Sequence, residues 1–296
     1  ELASLWLKLV QQACNITPAI ASRSLATMPY APASRLADKT CVVFGGTGHV
    51  GAGACLAFAK EGAKVIATSR SQENLDATRE LYAWPETVIG VISDFSSDEE
   101  AAASVERVWK AAGGSVDHVV NSVAFSGMNK PFTETTTDEL SKILESDVFP
   151  RMRASRFAAQ RLLNVEGATL MTVSGGMQDG IHHFSKQFPA GGLWAGSGMG
   201  GSMFTQATYA IASEVIDKKG SLRVATVAVH MMVSRLGETA QQLGVPAEPD
   251  SSVTFGRVFV ATALDKDAEE AKLYKIGPIN GEDLDALLTR VLALDK

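Results

Sequence analysis

From about Asp38 onward the chain alternates between short apolar runs and stretches with helical periodicity. Thr40 to Gly45 is a run without charge, followed by a helical pattern from Val50 to Glu61. Lys64 to Ser69 reads as the next strand and Gln72 to Tyr82 as the next helix, then Thr87 to Ser93 as strand again. The acidic, Ala-rich stretch Ser97 to Ala112 is helical, Val116 to Ser122 is a strand, and Thr137 to Asn164 is a long helix that Pro150 should kink. Ala168 to Ser174 and Leu222 to Val229 are further apolar runs. Runs without polar alternation belong to strands buried on both faces, as in parallel sheets. Strand, helix, strand at intervals of roughly 25 residues implies right-handed crossovers. The pattern predicts an α/β fold with one doubly wound parallel sheet and helices on both faces. Gly281 to Leu294 reads as a closing amphipathic helix, with Glu282 and Asp283 at its positive end. Its leucines suit core or subunit contact.

The 296 residues and a hydrophobic share of 46% allow one large α/β domain. A net charge of −6 argues against a nucleic-acid-coating protein, which needs a basic surface. No run approaches the roughly 18 apolar residues of a membrane-spanning helix. Cys14, Cys41 and Cys55 fit no metal or CxxC spacing, and the latter two read as small core hydrophobes in a reducing compartment. The adjacent His182 and His183 would point to opposite sides of a strand and make a poor chelate, so no metal site is expected.

Residues 1–37 differ in composition. They hold Lys8, Arg23 and Arg35, many Ser and Ala, and only Glu1 as an acid. Leu2, Leu5, Trp6 and Leu9 share one helical face, and Pro18, Pro29 and Pro32 mark an irregular linker. This is the composition of a transit segment or an anchoring helix. The expected division is an extension over 1–37 and a Rossmann-type domain over 38–296. An organellar location follows, with mitochondrion favoured over plastid or cytoplasm.

The chemistry enters at Gly45-Gly46-Thr47-Gly48-His49-Val50-Gly51, between the first strand and the first helix. A pyrophosphate must reach backbone N–H groups at a helix N-terminus, where the dipole is positive. Side chains would block that approach, and the last glycine lets helix and strand pack closely. At the end of the second strand stands Ser69-Arg70, where a carboxylate would bind a ribose 2′-hydroxyl. A planar, permanently charged Arg suits a 2′-phosphate instead, so NADP(H) is favoured over NAD(H).

On these residues the chain resembles the short-chain dehydrogenase/reductase family over about Asp38 to Asn280. Its Gly45-x-x-Gly48-x-x-Gly51 loop is similar to that of extended and atypical members. Asp94-Phe95 stands where the family places an Asp-x pair beside the adenine. Asn121-Ser122-Val123 replaces the start of the Asn-Asn-Ala-Gly motif, and Val258 to Ile276, then Gly277, resembles the last helix and strand. By this resemblance the cofactor site comprises Gly45, Thr47, Gly48, His49, Val50, Gly51, Ser69, Arg70, Asp94, Phe95, Asn121, Ser122 and Val123. The resemblance also implies a dimer or tetramer.

The family donates a proton from a Tyr tuned by a Lys four residues later, with a Ser and an Asn in support. Here the Asn position matches Asp147, and the Ser position falls on Gly175, with Ser174 before it. The Tyr and Lys positions match Trp194 and Gly198. The four tyrosines, Tyr30, Tyr82, Tyr209 and Tyr274, are followed at four residues by Ser34, Glu86, Ser213 and Pro278. None has Lys at the seven-residue spacing of enoyl reductases either. Val229-His230 replaces the family's Pro-Gly. An indole N–H donates a hydrogen bond but does not ionise usefully, so Trp194 cannot stand in as an acid.

Three readings follow. The first is a catalytically impaired NADP(H)-binding protein serving as a structural or regulatory subunit in a larger organellar assembly. The second is an active NADPH-dependent carbonyl or enoyl reductase with a non-standard proton donor, with His182, His183 and Lys186 as candidates and Ser174 polarising a carbonyl. The third is a cofactor-free scaffold that keeps the glycine loop for packing.

Overall fold

The computed structural model describes residues 34–123, 132–175, 195–229, 251–265 and 272–276. Seven parallel strands form one sheet in the order β3-β2-β1-β4-β5-β6-β7. They are β1 (Thr40–Phe44), β2 (Lys64–Ser69), β3 (Val88–Ile92), β4 (His118–Asn121), β5 (Thr169–Gly175), β6 (Arg223–Val229) and β7 (Lys272–Ile276). The helices described are α1 (His49–Lys60), α2 (Gln72–Leu81), α3 (Asp98–Ala112), α4 (Thr137–Ile143), α5 (Phe149–Leu162), α6 (Ala195–Asp217) and α7 (Ser251–Leu264). Both faces of the sheet are covered, which is why the strands read as unbroken apolar runs. In β1, Cys41 and Val43 join a core with Phe58 of α1, Leu75 of α2 and Phe259 of α7. Val42 and Phe44 join the opposite core with Trp109 of α3 and Leu162 of α5. Gly53 and Ala57 of α1 face Gly256, which lets α7 lie against α1.

Local signals set the helix ends. Ser71 and Ser97 accept from the N–H groups of Asn74 and Glu100 and so cap α2 and α3. Asp98, Glu99 and Glu100 fill the first turn of α3, and Gly113 closes it at φ 91°. Thr136 and Glu139 form a reciprocal capping box on α4.

The long helix expected over Thr137 to Asn164 is three pieces. A π-helical turn, Leu144–Val148, separates α4 from α5 just before Pro150. Proline has no N–H and its ring clashes with the carbonyl four residues back, so the ladder relaxes to the wider spacing. The N-terminal boundary also shifts. Leu36, assigned above to the extension, is 2% exposed within the core. Arg35 bonds Glu61, which is fully buried at the end of α1, at 3.2 Å. The remaining extension and the closing helix over 281–294 lie outside the described residues. Among those described, no helix is long and apolar enough to cross a membrane. No group of three or more His, Cys, Asp or Glu could hold a metal ion there.

At the starting end of the strands, His118 pairs with Cys41 and Thr169 on its two neighbours. Its Nδ1 is buried with no hydrogen-bond partner. Burial, with Arg223 and Lys39 adding and Asp117 opposing, pushes its pKa from 6.5 down to about 4. The unfolded chain therefore takes up a proton between these values while the folded one does not. The full stability holds above 6.5 and is lost as pH falls towards 4, a difference of about 3 kcal/mol for this residue. In urea unfolding between pH 7.5 and 4, His118→Leu should show a shallower acid loss than the parent chain; parallel curves would refute the assignment.

Candidate functional site

The strand order reverses between β1 and β4, and in open parallel sheets ligands bind beyond the carboxyl ends at such a switch point. The glycine loop lies there. Gly45 takes φ +73°, where an added Cβ would sit 2.8 Å from the Ser122 carbonyl oxygen. At Gly51 a Cβ would come within 2.3 Å of the Gly45 oxygen and 2.6 Å of Ser122 Oγ. Ser122 Oγ donates to the Phe44 carbonyl at 2.7 Å and reaches that of Gly45 at 3.2 Å. The loop is thus held between the ends of β1 and β4, with no room for side chains. Gly48 caps α1 without any side-chain hydrogen bond, and no acid occupies the first turn. The leading N–H groups of α1 keep their positive field, an arrangement that fits a pyrophosphate. Gly45, Gly48, Gly51 and the start of α1 at His49 and Val50 would hold it. The His49 ring is turned aside, with Nδ1 3.2 Å from the Tyr82 hydroxyl.

Beside this loop, Thr47 Oγ1 donates to Ser69 Oγ at 3.1 Å, joining the loop to the end of β2. Arg70, the next residue, is exposed, and no ion pair engages it among the described residues. Two joined hydroxyls thus mark the end of β2, and the exposed Arg70 follows them in the chain.

Other positions assigned to the cofactor turn inward. The Asn121 side chain is fully buried and donates to the Arg151 carbonyl at 2.9 Å and Ser155 Oγ at 2.8 Å. Its Oδ1 accepts from the Val123 N–H at 3.2 Å. Phe95 is 5% exposed and packs edge-on to Phe44, ring centres 5.0 Å apart. Asn121, Ser122 and Phe95 thus spend their side chains on the scaffold, which leaves only backbone for a cofactor. Asp94 is partly exposed; its Oδ1 accepts from Ser96 N–H at 2.9 Å.

Asp147 lies in the π-turn, 4% exposed, with Oδ1 2.6 Å from Arg151 Nη2. The Arg151 guanidinium lies 5.6 Å from the Phe204 ring centre on α6. Ser174 is fully buried, and its Oγ accepts from Thr205 of α6 at 3.3 Å. Its hydroxyl faces α6. Gly175 ends β5, and Gly198 falls in the first turn of α6. Helix α6 therefore packs, through Phe204 and Thr205, against Arg151 and Ser174. Trp194, His182, His183 and Lys186 lie outside the described residues. Arg151 and Phe204 were not singled out from the sequence, although the four-residue spacing of Asp147 and Arg151 is the helical ion-pair signal. The tyrosine of α6, Tyr209, lies about 20 Å along the helix from its start.

A family model described as enoyl-(acyl carrier protein) reductase matches residues 48–187. The match ends before Trp194 and Gly198. The uncharacterized oxidoreductase YvrD of Bacillus subtilis is 31% identical over 140 residues, covering 47% of this chain and 52% of that protein. The NADP-dependent (R)-specific alcohol dehydrogenase of Lentilactobacillus kefiri is 29% identical over 141 residues, covering 47% of this chain and 55% of its own length. The chain spans about half the length of these relatives. The solved structure of a short-chain type dehydrogenase/reductase from Mycobacterium ulcerans superposes with a TM-score of 0.66 at 19% identity, covering 88% of this chain and 97% of that one. That likeness shows the fold.

Two substitutions test the packing of the site. Gly51→Val should cost about 1–3 kcal/mol or more in urea unfolding, since the Gly45 carbonyl is backbone and cannot step aside as the Ser122 side chain could. An unchanged midpoint would contradict the close approach. Asp147→Leu should cost about 3–5 kcal/mol by leaving a buried cation unpaired, and adding Arg151→Leu should recover much of the loss. Additive losses in the double variant would show that the two residues do not act as a pair.

Proposed function

The chain belongs to the short-chain dehydrogenase/reductase family, and on that premise we propose that it is a member that binds NADP(H) but is impaired in hydride chemistry. In this reading it serves as a structural or regulatory subunit of a larger assembly in an organelle, the mitochondrion being favoured. One contrast carries the proposal. The glycine loop keeps the close contacts that open a helix end to a pyrophosphate, while no tyrosine of the chain has a lysine four residues later. NADP(H), when bound, supplies or accepts a hydride. Using it on a carbonyl also requires a proton donor. No lysine occurs between Ala195 and Asp217, the helix that should carry the ammonium. The Asn position holds a carboxylate already neutralised by Arg151.

The preference for NADP(H) rests on Arg70, with Ser69 and Thr47 beside it. A guanidinium pairs with a phosphate dianion, and the two hydroxyls can donate to its oxygens. The name of the Lentilactobacillus relative, an NADP-dependent enzyme, is in keeping with this. The subunit role rests on the transit-like or anchoring composition of the first residues together with the missing catalytic pair.

The second reading, an active reductase with another proton donor, is favoured by one finding: the matching family model is described as a reductase. Its candidates remain His182, His183 and Lys186.

Titration of the full chain with NADPH and NADH, followed by protein fluorescence, tests the cofactor. NADPH should bind at least tenfold more tightly, and Arg70→Ala should remove most of that difference, since a charge-assisted contact is worth about 1.5–3 kcal/mol. Absence of binding at millimolar NADPH would leave the cofactor-free scaffold standing. NADPH oxidation with carbonyl and enoyl substrates should stay at background. Turnover reduced by His182→Ala or His183→Ala would instead establish the active reductase. Migration as a free small oligomer in native extracts would sink the subunit role.

A further inference from the structure

We infer that Arg153, on α5, is a positioning residue for nucleotide binding: it holds the β3–α3 connection against the root of the glycine loop. The inference rests on the NADP(H) reading and assigns a residue that this reading does not use.

Arg153 is 20% exposed in its side chain and reaches across from α5 to the connection after β3. Its Nη1 donates to the carbonyls of Phe95 at 3.2 Å and Ser96 at 2.7 Å. Its Nε donates to Asp98 Oδ1 at 3.2 Å. The guanidinium also lies 5.7 Å from the Phe149 ring centre, which restricts its direction. One rigid fork thus satisfies two successive carbonyls and the first side chain of α3. A lysine has only a point charge for this task.

The connection is fastened from its other side as well. Ser104 Oγ accepts from the Asp94 N–H at 2.8 Å and donates to the Asp94 carbonyl at 2.9 Å. Asp94 is therefore pinned by Ser104, and Phe95 and Ser96 by Arg153. With its carbonyl held, Phe95 keeps its ring against Phe44. Phe44 immediately precedes Gly45, and its own carbonyl accepts from Ser122. A contiguous set of contacts thus runs from Arg153 through Phe95 and Phe44 to the turn that must meet a phosphate. Helix α5 follows directly on the π-turn of Asp147, so one element supports both the floor of the cleft and its adenine side.

The experiment measures affinity for adenosine 2′,5′-bisphosphate and amide hydrogen exchange of the unliganded full chain, in the parent, Arg153→Met and Arg153→Lys. Arg153→Met should weaken the bisphosphate by about tenfold. Exchange should quicken over 94–97 and 45–51 but not over 169–175 or 223–229. Arg153→Lys should recover part of the affinity, because one ammonium can serve one of the two carbonyls. Unchanged affinity and exchange in Arg153→Met would overturn the inference and leave the cofactor reading intact. So would exchange raised across the whole sheet, which would mark general loosening. If the parent chain binds no bisphosphate, the cofactor reading falls and this one falls with it.

Discussion

The Cα of Gly51 sits so close to the Gly45 carbonyl that a single methyl group there would overlap it, and this contact sets where α1 meets the sheet. Ser122 completes it from β4, donating to the carbonyls on which the turn is built. Two segments more than seventy residues apart in sequence, the glycine loop and the end of β4, meet within a few ångströms, with hydrogen on two α-carbons as the condition. The positive end of α1, left without a capping acid, follows from that geometry. Thr47 of the same loop lies beside Ser69, the residue before the exposed Arg70.

The opposite side of the cleft is built on different chemistry. The described side chains there are paired with one another. Asp147 is matched by Arg151, Asn121 supports α5, and the Ser174 hydroxyl faces Thr205. A buried ion pair is weak evidence for stability but strong evidence for fixed geometry, since losing either partner strands a charge. The π-turn that Pro150 imposes brings Asp147 inward, so backbone irregularity and buried charge arise from the same few residues. The cleft therefore combines a glycine-lined helix end with a neutralised floor, the two features on which the proposed function rests.

Much of the framework was legible in the chain because its signals are local. Lys64 to Ser69 forms a strand with those limits, and the glycine run begins in the turn after β1 and ends inside the first turn of α1. Less legible was the direction of a side chain that had two ways to turn. Asn121, Ser122 and Phe95 follow strands whose ends border the ligand, so sequence position alone suggested contact with it. Each is instead drawn inward by a partner distant in the chain: Ser155, Gly45 or Phe44. Leu36 was taken for linker because an isolated apolar residue among Pro, Ser and Ala shows no periodicity.

What the sequence determined by itself was the class of fold, the glycine turn after the first strand and the lack of a lysine four residues after any tyrosine. Periodicity, glycine spacing and residue identity are properties of short windows, and they hold however the chain is wound. The tertiary structure alone decided which polar groups remain free: Arg70 outside, Asp147 and Arg151 spent on each other, and Arg153 clamped across two segments. Whether a charge meets a partner depends on contacts between residues tens of positions apart, and only the packing of α3, α5 and α6 on the sheet brings those into range.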